Sequence, residues 1–308
     1  MIRLKLLLLL CIIATNNLKM FSQLTSTKKV ENIVYGMVSG TALLMDAYLP
    51  IKSNHKAVIF IPGSAWGFPY PTNYDQPPLK EDIKFDSSYY GEWEKSLVQN
   101  GYAVFVINHR FCPKFQFQDI IEDCRRAVRY VRYNATEFSI DPLFIGAMGH
   151  SSGGNLASIL GVSDSNYYSN RSAIDSVSSK VQAVVTLAAP FNLADINKPE
   201  DSTLDNNYML SAINAYMGGL PTMKRGDFVL SGKYISASPY ALVTKDDAPT
   251  LIYYSDNDPV IATRQAKNMY NELVQHNVPA KIVMSHNAGH NPIADMIEVC
   301  NWFKKYLK

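Results

Sequence analysis

Short runs of β-branched and aliphatic residues at 57–61, 102–108, 143–148, 181–187, 250–254 and 280–285 constrain this chain more than any other feature of its sequence. Continuous apolar runs of this length are the mark of strands buried on both faces. An alternating segment at 43–49 precedes them as a further strand. Between the runs, 93–99 has helical composition and stops at Asn100-Gly101, and 120–133 sets Ile121, Cys124, Val128 and Val131 at helical spacing. A closing helix is expected with Ile293, Met296, Ile297, Cys300, Phe303 and Leu307 on one packed face. Repeated strand-helix alternation predicts an α/β fold, a mostly parallel sheet with helices on both faces and right-handed crossovers. The Pro- and Tyr-rich segment 68–90 has no period and reads as a surface loop. The alternation also lapses between 190 and 248, where polar loops and a short helical stretch at 208–217 mark a small cap or lid insertion.

One sheet can absorb the 308 residues, so a single domain is expected over 23–308. The apolar fraction of 47% and charged fraction of 18% belong to an ordinary globular chain. A formal charge of +2, with no basic cluster among aromatics, argues against a nucleic-acid partner. Arg3 and Lys5 precede the apolar run 6–14, and polar sequence follows to Ser22. This is the pattern of a signal peptide over 1–22, which predicts a secreted or periplasmic protein. The run is shorter than the roughly 20 residues a bilayer span needs, so no stable membrane span is expected. Cys112, Cys124 and Cys300 remain after the leader, with no paired spacing, and imply neither a disulfide framework nor a metal site.

Chemistry enters at Gly149-His150-Ser151-Ser152-Gly153. The pentapeptide lies between an apolar strand and the helix-compatible 155–162, as a nucleophile elbow requires: a sharp turn lifts the serine hydroxyl above the strand ends, and the glycines relieve crowding. A serine attacks only when a base takes its proton, and the base needs a carboxylate to orient it. Two later strand-end loops supply candidates in the expected order, Ser255-Asp256-Asn257-Asp258 and His286-Asn287-Ala288-Gly289-His290. Asp258 and His290 are preferred, with Asp256 and His286 as rivals, because His290 follows a glycine far enough beyond the strand to turn back over the sheet. Ser152 is expected to offer its N–H to a developing oxyanion, and Ser64 or Ala65, after the early strand 57–61, to offer the second. The remaining histidines are read as structural. Trp66 beside that loop is placed to stack on an aromatic or sugar group, with core packing as the competing reading.

These residues resemble the carboxylesterase branch of the α/β-hydrolases, the group of hormone-sensitive-lipase-like and bacterial feruloyl and acetyl-xylan esterase-like proteins. The likeness runs from about Asp46 to Lys305. It is carried by Pro62 to Trp66, Asn108-His109-Arg110-Phe111-Cys112-Pro113, Asp119 to Asp123, Asp141-Pro142, the elbow through Ala157, Asp258 and Gly289-His290. It implies the α/β-hydrolase fold, nucleophile Ser151, acid Asp258 and base His290, with no metal or organic cofactor. The implied substrate is a small-molecule ester, with acylated carbohydrate among the options. Arg110 and Asp123 look like a structural pair beneath the site, an ordinary surface pair being the alternative. The chain departs from the usual His-Gly-Gly-Gly at Pro62-Gly63-Ser64-Ala65, where serine adds a side chain at a position that can demand positive φ. Two other readings compete with an esterase: an amidase or peptidase using the same triad, and a binding module that kept the fold without the chemistry.

Overall fold

The computed structural model describes residues 27–38, 40–69, 91–163, 172–196, 206–219 and 232–308. The leader at 1–22, nearly all of the loop 68–90 and parts of 190–248 lie outside them. Eight strands form one sheet among the described residues: β1 (Lys28–Val38), β2 (Thr41–Leu49), β3 (Ala57–Ile61), β4 (Ala103–Ile107), β5 (Ile145–His150), β6 (Val184–Leu187), β7 (Thr250–Ser255) and β8 (Ala280–Ser285). Their spatial order is β1-β2-β4-β3-β5-β6-β7-β8. The first two strands run antiparallel to their neighbours and β3 to β8 run parallel. The expected mostly parallel α/β sheet is what forms.

Helices cover both faces: α1 (Gly91–Gln99), α2 (Phe117–Tyr133), α3 (Ser152–Val162), α4 (Asn206–Tyr216), α5 (Lys233–Ser236), α6 (Thr263–Gln275) and α7 (Met296–Tyr306). Strand periodicity divides the core between them. Ala57, Ile59 and Ile61 meet Ile120, Cys124 and Leu156 on one side, while Val58 and Phe60 meet Trp93, Leu97 and Phe303 on the other. All five residues of β3 and all five of β4 are buried, which explains their unbroken apolar sequence.

Two features depart from the sequence reading. Strand β1 was not expected, because its sequence KKVENIVYGMV leaves most side chains exposed at the sheet edge and is interrupted by register shifts after Val30 and Val34. The packed face of α7 is Val299, Cys300, Trp302, Phe303 and Leu307, whereas Ile293 and Ile297 are 72% and 76% exposed. Asp295 caps the helix through the N–H groups of Ile297 and Glu298, so Ile293 precedes it. Ile297 lies two residues before Val299, roughly 200° around the helix, and so faces away.

Candidate active site

β5 delivers His150 to its C-terminal end, and the chain reverses into α3 through Ser151, whose φ of 51° and ψ of −124° are strained for a residue with a side chain. The glycines make the reversal sterically feasible. A Cβ on Gly149 would stand 2.2 Å from the Gly153 carbonyl oxygen, and one on Gly153 would stand 2.0 Å from the Ile61 oxygen. The turn is anchored by the Ser151 N–H donating to Leu187 O at 2.8 Å and the Asn155 N–H donating to Ser151 O at 3.1 Å.

The loops after β7 and β8 converge on this turn. Ser151 Oγ lies 2.9 Å from His290 Nε2, and His290 Nδ1 lies 2.9 and 3.0 Å from the two oxygens of Asp258. Because both Asp258 oxygens face Nδ1, the proton belongs on Nδ1 and Nε2 is the acceptor that faces the hydroxyl. Asp258 is buried, and its Oδ1 also accepts the N–H groups of Val260 and Ile261 at 2.8 and 3.0 Å. The rival residues form a separate pair at the surface, His286 Nδ1 lying 2.8 Å from Asp256 Oδ2. The Asn287 N–H and then His286 hold the Asp256 carboxyl below its ordinary range.

Facing the turn is the loop after β3. A Cβ on Gly63 would approach Ser151 Cβ to 2.9 Å and His150 Nδ1 to 2.6 Å, so this loop runs directly against the nucleophile. Here the expectation for Ser64 is corrected. Its N–H donates to Ser152 Oγ at 2.9 Å and is therefore spent within the protein. Its φ is −151°, so the added side chain brings no left-handed strain; the positive φ values fall on Ala65 and Trp66, at 48° and 56°. The N–H groups of Ala65 and Ser152 take no hydrogen-bond partner among the described residues.

Trp66 is likewise corrected. Its indole is buried, stacks on Tyr216 with ring centroids 4.4 Å apart, and donates Nε1–H to Asn155 Oδ1 at 3.3 Å. It braces the loop from inside and has no open face for a ligand. Asn155, whose role sequence reasoning missed, joins three segments: it accepts from Trp66 and donates to Pro190 O and Ala237 O at 3.1 and 3.2 Å. Its place one turn into the helix after the elbow was the available signal. Between the loop after β4 and α2, Arg110 and Asp123 form a buried pair, not a surface one, linked by the Arg110 N–H, Nε and a terminal nitrogen at 2.8 to 3.0 Å. His109 is also buried, and burial pushes its imidazole down to about 4.

The geometry has counterparts among known proteins. The family model described as BD-FAE matches residues 45–273, most of the chain and a span that includes Ser151 and Asp258. The chain belongs to the BD-FAE family. Among curated proteins it is similar to the probable carboxylic ester hydrolase LipM of Mycobacterium tuberculosis (strain ATCC 25618 / H37Rv), 25% identical over 58% of this chain and 39% of LipM. Esterase LipC of the same organism is 23% identical over 79% of this chain and 54% of LipC. The chain thus spans about two fifths to one half of the length of these relatives. Among solved structures, a truncated form of a carbohydrate esterase from gut microbiota is 27% identical, with a TM-score of 0.71, covering 92% of this chain and 97% of that one. The sheet and helices of this BD-FAE member are those of the α/β-hydrolase fold. Among the described residues no helix is long and apolar enough to cross a membrane.

Proposed function

We propose that this BD-FAE member is a serine hydrolase that cleaves carboxylic esters through an acyl-enzyme on Ser151. The observation that carries the reading is the unbroken hydrogen-bonded path from Ser151 Oγ through His290 to the buried Asp258, at a turn held in a strained conformation. His290 Nε2 takes the hydroxyl proton as Oγ attacks the acyl carbon, and the oxyanion settles on the N–H groups of Ala65 and Ser152. Asp258 fixes the tautomer and stabilises the imidazolium. Collapse of the tetrahedral species breaks the bond to the alcohol, which leaves with the proton from His290. Water, deprotonated by His290, then attacks the acyl-enzyme; the carboxylic acid is released and Oγ regains its proton.

The likeness to a carbohydrate esterase favours an acylated sugar as the ester. The cap over the site is assigned to 190–248: α4 stacks Tyr216 on Trp66, and Asn155 ties Pro190 and Ala237 to the elbow helix. The leader at 1–22 is taken to export the chain to the periplasm or medium. The test is to compare an acetylated oligosaccharide, p-nitrophenyl acetate and the matching p-nitroanilide. Release of acetate from the first two with little anilide cleavage is expected; equal or faster anilide cleavage would replace the esterase reading with an amidase. A p-nitrophenyl ester cleaved without any acetate released from the oligosaccharide would reject the sugar.

A further inference from the structure

We propose that His150, the residue immediately before the nucleophile, is a positioning residue that sets the distance between His290 and Ser151 by holding the backbone carbonyl of His290. The proposal rests on the esterase reading of the same site. His150 Nε2 lies 2.9 Å from His290 O, and since a carbonyl only accepts, the ring must carry its proton on Nε2 and donate it. The two imidazoles meet edge to face with centroids 5.1 Å apart. Burial, and next the neighbouring His290, push the His150 imidazole down to about 3, so it is a neutral donor throughout the range in which a triad works.

His290 needs such a tie. It lies in an irregular loop that passes through positive φ at Asn287 (54°) and Gly289 (58°), where no strand or helix ladder fixes it. Three N–H groups of this loop reach the acid loop: Asn287 to Asp256, Ala288 to Ser255 and Gly289 to Asn257. These bonds, with the Asp258 pair, fix His290 relative to β7. His150 instead belongs to β5, one residue from Ser151. Among the described residues, its bond is the one that refers the base to the nucleophile's own strand without using the hydroxyl that must react. A displacement of about 1 Å in such an arrangement costs on the order of 10²-fold in rate.

The test uses two substitutions. His150→Phe keeps a planar ring against Trp93 and removes the donor; His150→Gln supplies an amide N–H of similar reach. The expected result is a kcat for ester hydrolysis lowered roughly 10- to 100-fold in His150→Phe, KM within about twofold, and kcat largely restored in His150→Gln. Crystal structures of both variants give a reading that needs no turnover. His290 Nε2 is expected outside hydrogen-bonding range of Ser151 Oγ in His150→Phe and within it in His150→Gln. A folded His150→Phe with wild-type kcat, or with His290 unmoved, overturns the proposal. If the wild-type protein hydrolyses no ester, the esterase reading fails, and the position of His290 in the two crystals still decides the role of His150.

Discussion

At the scale of single residues, the division between the two carboxylates is the sharpest consequence of the structure. Asp256 and Asp258 share a loop, and sequence spacing cannot tell which meets His290, because a hydrogen bond depends on how the loop folds back. The structure separates them: Asp258 is buried against His290 and Asp256 pairs outside with His286. Asp258→Asn is expected to lower kcat by about 10⁴ with the fold intact, since an amide favours the wrong tautomer. Steady-state kinetics of Asp256→Asn should give kcat within about twofold of wild type, a surface pair contributing little. An equal loss in the two variants would contradict the assignment. Trp66 and Ser64 could not be read correctly from sequence for a related reason. Whether an indole faces a ligand or a core depends on Tyr216, 150 positions away, and whether an N–H is free depends on Ser152, 88 away.

Among elements, the elbow and its supporting helix carry most of the organisation. The strand-turn-helix of β5 and α3 was legible because glycine spacing and apolar flanks record a local steric problem, the 2.0 Å approach to Ile61 O. Strand β1 and helix α6 went unread, the first because a polar edge strand lacks a buried face. Helix α6 has a mostly polar sequence, TRQAKNMYNELVQ, with Met269 and Leu273 among the few residues facing the core. The side chain of Ser152 bridges elements, accepting the Ser64 N–H and thereby fixing the loop that carries Ala65. Ser152→Ala keeps its own N–H, so kcat should fall by less than the 10² to 10³ that removing an oxyanion donor costs, while the buried Ser64 N–H loses its acceptor and urea unfolding should show a loss of about 1 to 3 kcal/mol. The Arg110–Asp123 pair joins the loop after β4 to α2, and Asp123→Ala removes the nearer carboxylate and leaves the buried guanidinium to Asp119, whose Oδ1 and backbone O lie 3.3 and 2.9 Å from its terminal nitrogens. A loss on the order of 3 to 5 kcal/mol in urea unfolding is expected, and a loss below about 1 kcal/mol would show that Asp119 alone satisfies Arg110.

For the whole molecule, fold class and sheet direction followed from the alternation of buried runs with helices, and the helical stretch expected at 208–217 is α4 (Asn206–Tyr216), while the four-residue α5 (Lys233–Ser236) is too short to leave a period in the sequence. The pH dependence of stability is also a property of the whole chain. Glu94 in α1 is fully buried, neither oxygen has a hydrogen-bond partner among the described residues, and burial raises its carboxyl from 4.5 to about 9, against a smaller opposing pull from Lys29; Asp46 reinforces the rise. Between those values the unfolded chain has released this proton and the native protein retains it, so the contribution of Glu94 to stability declines as pH rises through the window. Glu94→Gln should abolish that decline and stabilise the protein at pH 7 by on the order of 3 kcal/mol, read from urea midpoints at pH 5 and pH 8. The central claim, that Ser151 is the nucleophile of an ester hydrolase, is tested most directly by turnover of a short p-nitrophenyl acyl series with wild type beside Ser151→Ala. The account predicts turnover by the wild type and a fall to background in the variant; equal rates in two folded proteins would contradict it.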